Sequence, residues 1–128
     1  MAKFVLKNKT IFVAGHNGMV GSAICRALQQ LPVNILTANK RKLDLVNEEA
    51  VKSWMAQYRP DAVILAAARV GGIFANDLYP VDFLLQNLKI QNNVIEAAHQ
   101  QNILKLLFLG SSCIYPKFAE QPIKEEYL

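Results

Sequence analysis

The residues with the clearest chemical meaning are the three glycines of the run Gly15-His16-Asn17-Gly18-Met19-Val20-Gly21. The run directly follows a short apolar segment and opens a segment of helical periodicity. In such a setting the first glycine permits a tight turn, the second lets a pyrophosphate approach the backbone, and the third allows helix and strand to pack closely. The start of the helix adds unpaired N–H groups for the phosphates. The pattern predicts a dinucleotide site built by residues 15–21, the alternative being a turn that serves packing alone.

The residues after the second predicted strand indicate which dinucleotide is bound. Sites that prefer NAD place an acid about 20 residues beyond the glycines to hold the ribose hydroxyls. Here the stretch reads Thr37-Ala38-Asn39-Lys40-Arg41 and contains no acid. A carboxylate would repel the 2′-phosphate of NADP, whereas Lys40 or Arg41 can pair with it. We therefore predict NADP (NADPH) as the cofactor, with Lys40 as first choice and Arg41 as second, and with Asp44 and Leu45 at the rim of the adenine site.

Two further groups of candidate residues follow predicted strands. Ligands in open α/β sheets bind beyond the carboxyl ends of the strands, where this chain has the small residues Ala66–Ala68 and, later, Leu109-Gly110-Ser111-Ser112-Cys113. Taken alone, such a serine more often makes a local hydrogen bond, and such a cysteine is more often a small buried apolar residue. The other cysteine, Cys25, is expected in the core. Without a CxxC motif or a His/Cys cluster we predict neither a disulfide framework nor a metal site.

The elements that must position these residues alternate between short apolar runs and longer helical-period segments, which is typical of a parallel sheet. We predict strands at 10–14, 33–37, 62–65 and 105–109, and helices at 19–31, from Asn47 onward, and at 81–101. Three right-handed crossovers give the local strand order 3-2-1-4 in a three-layer αβα arrangement. The predicted fold class is α/β, a Rossmann-like doubly wound parallel sheet. It is expected to be partial, because a complete domain normally has more strands.

The last predicted helix has two apolar faces. Phe83, Ile90, Val94 and Ala97 form one, and Leu84, Leu88, Ile95 and Ala98 form the other. One face can cover the sheet, and the other needs a partner, either a further helix or a second subunit. Asn87 interrupts the first face and is predicted to satisfy a buried backbone group.

Composition excludes several classes of protein. The 128 residues are 52% hydrophobic and 19% charged, which favours a folded globular chain. The net charge of +4 is scattered apart from Lys40-Arg41-Lys42, a run too short to indicate a nucleic-acid partner. We find no signal peptide and no apolar stretch of membrane-spanning length, so a cytoplasmic protein without a membrane partner is expected.

Several longer segments resemble one family. They are Gly15-His-Asn-Gly-Met-Val-Gly-Ser-Ala23, Leu65-Ala-Ala-Ala-Arg-Val-Gly-Gly-Ile73, Asn76-Asp-Leu-Tyr-Pro80 and Leu106-Leu-Phe-Leu-Gly-Ser-Ser-Cys-Ile-Tyr-Pro-Lys117. The chain is similar in them to the GDP-L-fucose synthase family of the extended short-chain dehydrogenase/reductase superfamily. The resemblance implies conversion of GDP-4-keto-6-deoxy-D-mannose to GDP-L-fucose by 3,5-epimerisation and NADPH-dependent 4-reduction, by an enzyme that is typically a homodimer.

The same resemblance implies roles for individual residues. Ser111 would hydrogen-bond the substrate carbonyl, and Cys113 would be one partner of the acid/base pair that inverts C3 and C5. Residues Leu109, Gly110, Ser111 and Ser112 would line the nicotinamide side of the cofactor. Asn17 departs from the pattern, because some relatives carry arginine there, and this moves 2′-phosphate recognition toward Lys40 and Arg41.

The family's Tyr-x-x-x-Lys motif does not occur in these 128 residues, since Tyr115 is followed four residues on by Ala119. We therefore expect residues 1–128 to be the N-terminal part of an NADP-binding Rossmann domain, without the substrate domain and without turnover on its own. Two alternatives remain open: another nucleotide-sugar epimerase or dehydratase of the superfamily, and a non-catalytic module that binds cofactor or dimerises.

Overall fold

The computed structural model describes residues 4–128, without the side chain of Ser112. Its elements alternate along the chain as predicted. The strands and helices are β1 (Thr10–Ala14), α1 (Met19–Leu28), β2 (Asn34–Leu36), α2 (Glu48–Tyr58), β3 (Ala62–Leu65), α3 (Ile73–Leu78), α4 (Pro80–Gln100) and β4 (Lys105–Phe108). Short 3₁₀ helices follow at Ser112–Ile114 and Glu125–Tyr127.

The four strands form one parallel sheet in the order β2-β1-β3-β4. The Rossmann-like α/β class is confirmed, but the predicted strand order 3-2-1-4 is wrong, because β3 pairs with β1, with Val63 opposite Phe12. Burial gives the physical reason. β1 and β3 are buried along most of their length and occupy the centre, whereas β2 has only three partly exposed residues and lies at an edge.

This order places helices on both faces of the sheet. From β1 the chain runs first to β2 on one side and then crosses back over β1 to β3 on the other side. Right-handed crossovers therefore put α1 on one face of the sheet and α2 and α4 on the other. Ile11 and Val13 of β1 pack with Leu28 of α1, whereas Phe12 packs with residues of α2, β3 and α4. The three-layer arrangement is confirmed, and the point of reversal lies at the carboxyl end of β1.

The helix boundaries follow local signals with two differences. Asn47 caps α2 as predicted, since its Oδ1 accepts a hydrogen bond from the Ala50 N–H at 3.0 Å. α1 ends at Leu28, three residues before the predicted end. Helix α3 was not predicted; it is a six-residue helix whose start is held by the Asn76 side chain, which donates to the carbonyls of Gly71 and Gly72.

Helix α4 has the two predicted faces. Phe83, Val94 and Ala97 are buried, whereas Leu84 is 61% exposed. Ala98, predicted on the outer face, is buried, because the chain turns back beside it and the Ile103 N–H donates to its carbonyl. Within residues 4–128, none of the helices combines the length and the apolar character that crossing a bilayer requires.

Candidate functional site

A crevice of about 500 Å³ opens beyond the carboxyl ends of β1, β2 and β3. This is the edge of the sheet, at the reversal of strand order, where open α/β sheets bind their ligands. Its walls come from the β1–α1 turn, the β2–α2 loop, the end of β3 and the inner face of α4. The residues that line it are Phe12, Ala14, Gly15, His16, Asn17, Ala38, Asn39, Lys40, Leu43, Asp44, Leu45, Val46, Ala67, Ala68, Arg69, Gln86 and Ile90.

The glycine loop forms one wall, and two of its glycines are required by the geometry. Gly15 has φ +89°, and a Cβ there would lie 2.6 Å from the Ala66 carbonyl oxygen. A Cβ on Gly21 would collide with the Gly15 carbonyl oxygen. Any side chain at Gly15 would therefore push the β1–α1 turn away from the end of β3, and any side chain at Gly21 would push α1 away from that turn. The tight turn and the close helix–strand contact assigned to them from the sequence are both present.

The start of α1 presents backbone donors. Gly18 is the N-cap and makes no side-chain capping bond, so the N–H groups of the first turn, Met19 to Gly21, have no capping acceptor. Met19 is 86% exposed, which keeps this turn accessible. The helix dipole adds partial positive charge at the same place. The turn can therefore accept an anion, although of residues 15–21 it is Gly15, His16 and Asn17 that line the crevice.

The opposite wall is the β2–α2 loop. Lys40 and Arg41 are both exposed, but only Lys40 lines the crevice. Asp44 and Leu45 line the crevice as expected of an adenine rim, and the Asp44 carboxylate accepts from the Val46 N–H at 3.1 Å. The cationic group that the structure brings to this end of the crevice is thus Lys40.

The end of β3 supplies a basic residue that the sequence analysis did not single out. Arg69 lines the crevice after the alanines Ala67 and Ala68, and its guanidinium lies 4.6 Å from the centre of the Phe83 ring. Asn87 holds its backbone from both sides, accepting from the Arg69 N–H at 2.7 Å and donating to the Arg69 carbonyl at 3.0 Å. The predicted role of Asn87 is confirmed. A basic residue directly after a run of small residues at a strand end was the available signal for Arg69.

The residues after β4 lie at the same edge of the sheet, one strand further along. The Leu109 N–H donates to the Leu65 carbonyl at 3.2 Å, so the chain stays beside β3 before it turns away. Ser111 and Cys113 are exposed, and the Cys113 N–H donates to Ser111 Oγ at 3.3 Å. Leu109, Gly110, Ser111 and Cys113 do not line the crevice, and the side chain of Ser112 lies outside the described residues.

The two cysteines differ in their surroundings. Both are free thiols. Cys25, predicted in the core, is half-buried and packs against the core of the α1 face; burial raises its pKa, partly offset by Arg26. Cys113 is exposed next to the strand ends. Among residues 4–128, no three His, Cys, Asp or Glu side chains lie close enough together to hold a metal ion.

Comparisons with known proteins agree with this geometry. The sequence profile of the NAD dependent epimerase/dehydratase family matches residues 11–128. The chain is 53% identical over its whole length to a GDP-L-fucose synthase from Sinorhizobium fredii, of which it covers 41%. It is 55% identical over 95% of its length to GDP-L-fucose synthase 1 from Arabidopsis thaliana, of which it covers 38%.

A solved structure is also similar. It is a GDP-mannoheptose C4 reductase from Campylobacter jejuni with NADP bound, with a TM-score of 0.87 and 41% identity over 94% of this chain and 38% of that one. The chain thus spans about two fifths of the length of each of these three proteins.

Proposed function

Because the chain belongs to the NAD dependent epimerase/dehydratase family, we propose that residues 1–128 are the N-terminal part of the NADP-binding domain of a GDP-L-fucose synthase. The observation that carries the proposal is the 53% identity over the whole chain. That match takes in both the glycine loop and the Ser111–Cys113 segment. The sugar-nucleotide domain is then part of the remaining three fifths of such an enzyme.

The crevice fits a dinucleotide. Only glycine is accommodated at Gly15 and Gly21, and the turn between them leaves the backbone N–H groups at the start of α1 without capping acceptors. A pyrophosphate there would receive several backbone hydrogen bonds and the favourable field of the helix. Small side chains at Ala67 and Ala68 leave room opposite the loop.

Charge favours NADP over NAD. Lys40 lines the adenine end of the crevice without a neighbouring acid at the end of β2, so it can pair with a 2′-phosphate. Arg69 adds a second cation on the far wall, within the same crevice, where it can approach the pyrophosphate. When bound, NADPH supplies the hydride that reduces the 4-keto carbon of the sugar.

The residues that follow β4 act on the sugar. The 4-keto group acidifies the protons on C3 and C5, so a positioned acid and base can remove each proton and return one to the opposite face. We assign one of these roles to the Cys113 thiol. Ser111 Oγ accepts from the Cys113 N–H, which leaves the hydroxyl hydrogen of Ser111 available to donate to the sugar carbonyl.

We further propose a homodimer formed through α4 and a cytoplasmic location. Leu84, Leu88 and Ile95 give α4 an exposed apolar stripe that a second copy would cover. Free thiols at both cysteines, one of them assigned to catalysis, suit a reducing compartment.

The proposed function is tested with a chimera that joins residues 1–128 to the remaining part of the Sinorhizobium fredii relative. The chimera is expected to convert GDP-4-keto-6-deoxy-D-mannose with NADPH and to incorporate solvent deuterium at C3 and C5. Cys113→Ser should slow deuterium incorporation by about 100-fold, because the exchange loses its acid/base group. Mass spectrometry of the recovered sugar nucleotide measures the exchange.

Cys25→Ala is the matched control, since that thiol lies beside the core of the α1 face and not at the strand ends. The chimera with Cys25→Ala should incorporate deuterium as fast as the chimera without the substitution. Reduction at C4 without deuterium at C3 or C5 would instead favour a reductase like the Campylobacter jejuni relative. No turnover with an intact chimera would contradict the proposal.

A further inference from the structure

The three basic residues of the β2–α2 loop take different directions. All three are exposed, and of them only Lys40 lines the crevice. The Nζ of Lys42 instead lies 5.1 Å from the centre of the Trp54 ring and 5.8 Å from that of Tyr58. Both distances are within the range of a cation–π interaction, which extends to about 6 Å. The charge of Lys42 thus faces helix α2, away from any ligand in the crevice.

Trp54 and Tyr58 pack against each other on one face of α2 and form a surface that we call the aromatic ledge. Their ring centres are 4.0 Å apart, and Trp54 is buried. On its other side Trp54 packs against Phe12, with 5.9 Å between ring centres, and Phe12 lines the crevice. The ledge therefore connects the point where Lys42 is held to the floor of the crevice.

The rest of the loop is held by short-range hydrogen bonds and by α4. Asn39 Oδ1 accepts from the Lys42 N–H at 3.0 Å, and the Asn39 carbonyl accepts from the Leu43 N–H at 2.9 Å. Leu43 is buried, and the Leu45 carbonyl accepts from Asn93 Nδ2 at 2.9 Å. Across the described residues Lys42 forms no ion pair with a carboxylate. The Lys42 side chain is therefore held by its contact with the ledge, beside the hydrogen bond that the Asn39 side chain accepts from the Lys42 backbone.

We propose that Lys42 is a positioning residue for the adenosine end of the crevice and not a phosphate ligand. By anchoring the loop on the aromatic ledge, it presents Lys40 alone of the three basic residues to the 2′-phosphate. The role rests on the proposed NADP-binding function. It follows that Lys42 affects the affinities for NADPH and NADH equally, whereas Lys40 contributes mainly to the affinity for NADPH.

Calorimetric titration of the chain with NADPH and with NADH tests this role. Lys42→Met keeps the length and apolar stem of the side chain without its charge. It should lower the affinities for both cofactors by the same factor, about two- to fivefold. Lys42→Arg should restore both affinities, because a guanidinium also stacks on aromatic rings. Lys40→Met should weaken the binding of NADPH by about tenfold or more and the binding of NADH by much less, because only NADPH carries the 2′-phosphate. A loss for NADPH alone in Lys42→Met would make Lys42 a phosphate ligand and overturn the proposal, as would no loss for either cofactor.

A measurement without cofactor separates this proposal from the proposed function. Hydrogen exchange at the Leu43 and Val46 amides, both hydrogen-bonded within the loop, should be faster in Lys42→Met than in the unmodified chain and normal in Lys42→Arg. Trp54 is the single tryptophan, so its fluorescence reports directly on the ledge. If the unmodified chain binds neither cofactor but the exchange responds, the NADP function fails and the anchor stands. Unchanged exchange and unchanged Trp54 emission in Lys42→Met would overturn the anchor itself.

Discussion

At the scale of single residues, Asp61 joins the starts of the two central strands, at the end of the sheet opposite the crevice. One carboxylate oxygen accepts from Lys9 Nζ at 2.8 Å and the other from the Thr10 N–H at 2.8 Å. The hydrogen bond from Lys9 contributes most to a pKa of Asp61 below its usual value, and the Thr10 N–H adds to it. The stabilisation is therefore complete above the usual pKa and is lost as the pH falls through the lowered pKa of the folded state.

We expect Asp61→Asn to lower the free energy of unfolding at neutral pH by about 1 kcal/mol, since a partly exposed ion pair and one charge-assisted hydrogen bond are lost. The difference from the unmodified chain should shrink in acid, where the carboxylate is protonated. Urea unfolding at several pH values measures it. Asp77→Asn, at an exposed acid of α3, serves as control and should show neither effect. An equal pH dependence in both variants would contradict the role of Asp61.

At the scale of elements, α4 holds both walls of the crevice through two inward-facing asparagines. Asn87 binds the backbone of Arg69, and Asn93 donates to the Leu45 carbonyl across the α2 face. Asn93 is the polar side chain that is buried in the core among the residues that the structure describes. A helix that packs on the sheet thus also fixes the loops on either side of the site.

Asn93→Ala should destabilise the chain by about 1–3 kcal/mol, because it leaves the Leu45 carbonyl without its partner. The adjacent Asn92 is exposed and offers a matched control, since its replacement by alanine changes helix propensity equally without removing this bond. Asn92→Ala should change stability by less than about 0.5 kcal/mol. Thermal unfolding of the two variants side by side makes the comparison, and equal melting temperatures would show that the Asn93 bond contributes nothing.

At the scale of the whole molecule, the outer face of α4 carries an exposed apolar stripe. Leu84, Leu88 and Ile95 are exposed along several turns, and Phe74 of α3 is exposed as well. Several exposed apolar side chains along one helix face are typical of an interface. The proposed homodimer would cover it.

Leu88→Glu should raise the dissociation constant of such a dimer by about 100-fold, because a carboxylate at a buried apolar contact loses its hydration. Sedimentation velocity over a range of concentrations measures the change. Leu31→Glu, at an exposed leucine beyond α1, is the control and should leave the association unchanged. A monomer in the unmodified chain at every concentration, or equal behaviour of both variants, would contradict an interface on α4.

The sequence alone determined the features that depend on neighbours along the chain. The glycine spacing and the apolar run before it predicted the turn at Gly15, because its positive φ favours glycine. Asn47 predicted the start of α2, and the polar interruption at Asn87 predicted a buried backbone partner. Each is a short-range requirement that residue type expresses directly.

Tertiary structure decided what depends on contacts between distant segments. The strand order was set by which strands are most deeply buried at the centre of the sheet. Hydrophobic periodicity along the sequence does not show whether β2 or β3 is the more deeply buried. The different directions of Lys40 and Lys42 follow from the position of Trp54, a residue on another element. Arg69 joins the crevice because Asn87, 18 residues later, holds its backbone there. Local sequence specifies turns and helix ends, whereas long-range packing chooses which charged side chains face the ligand.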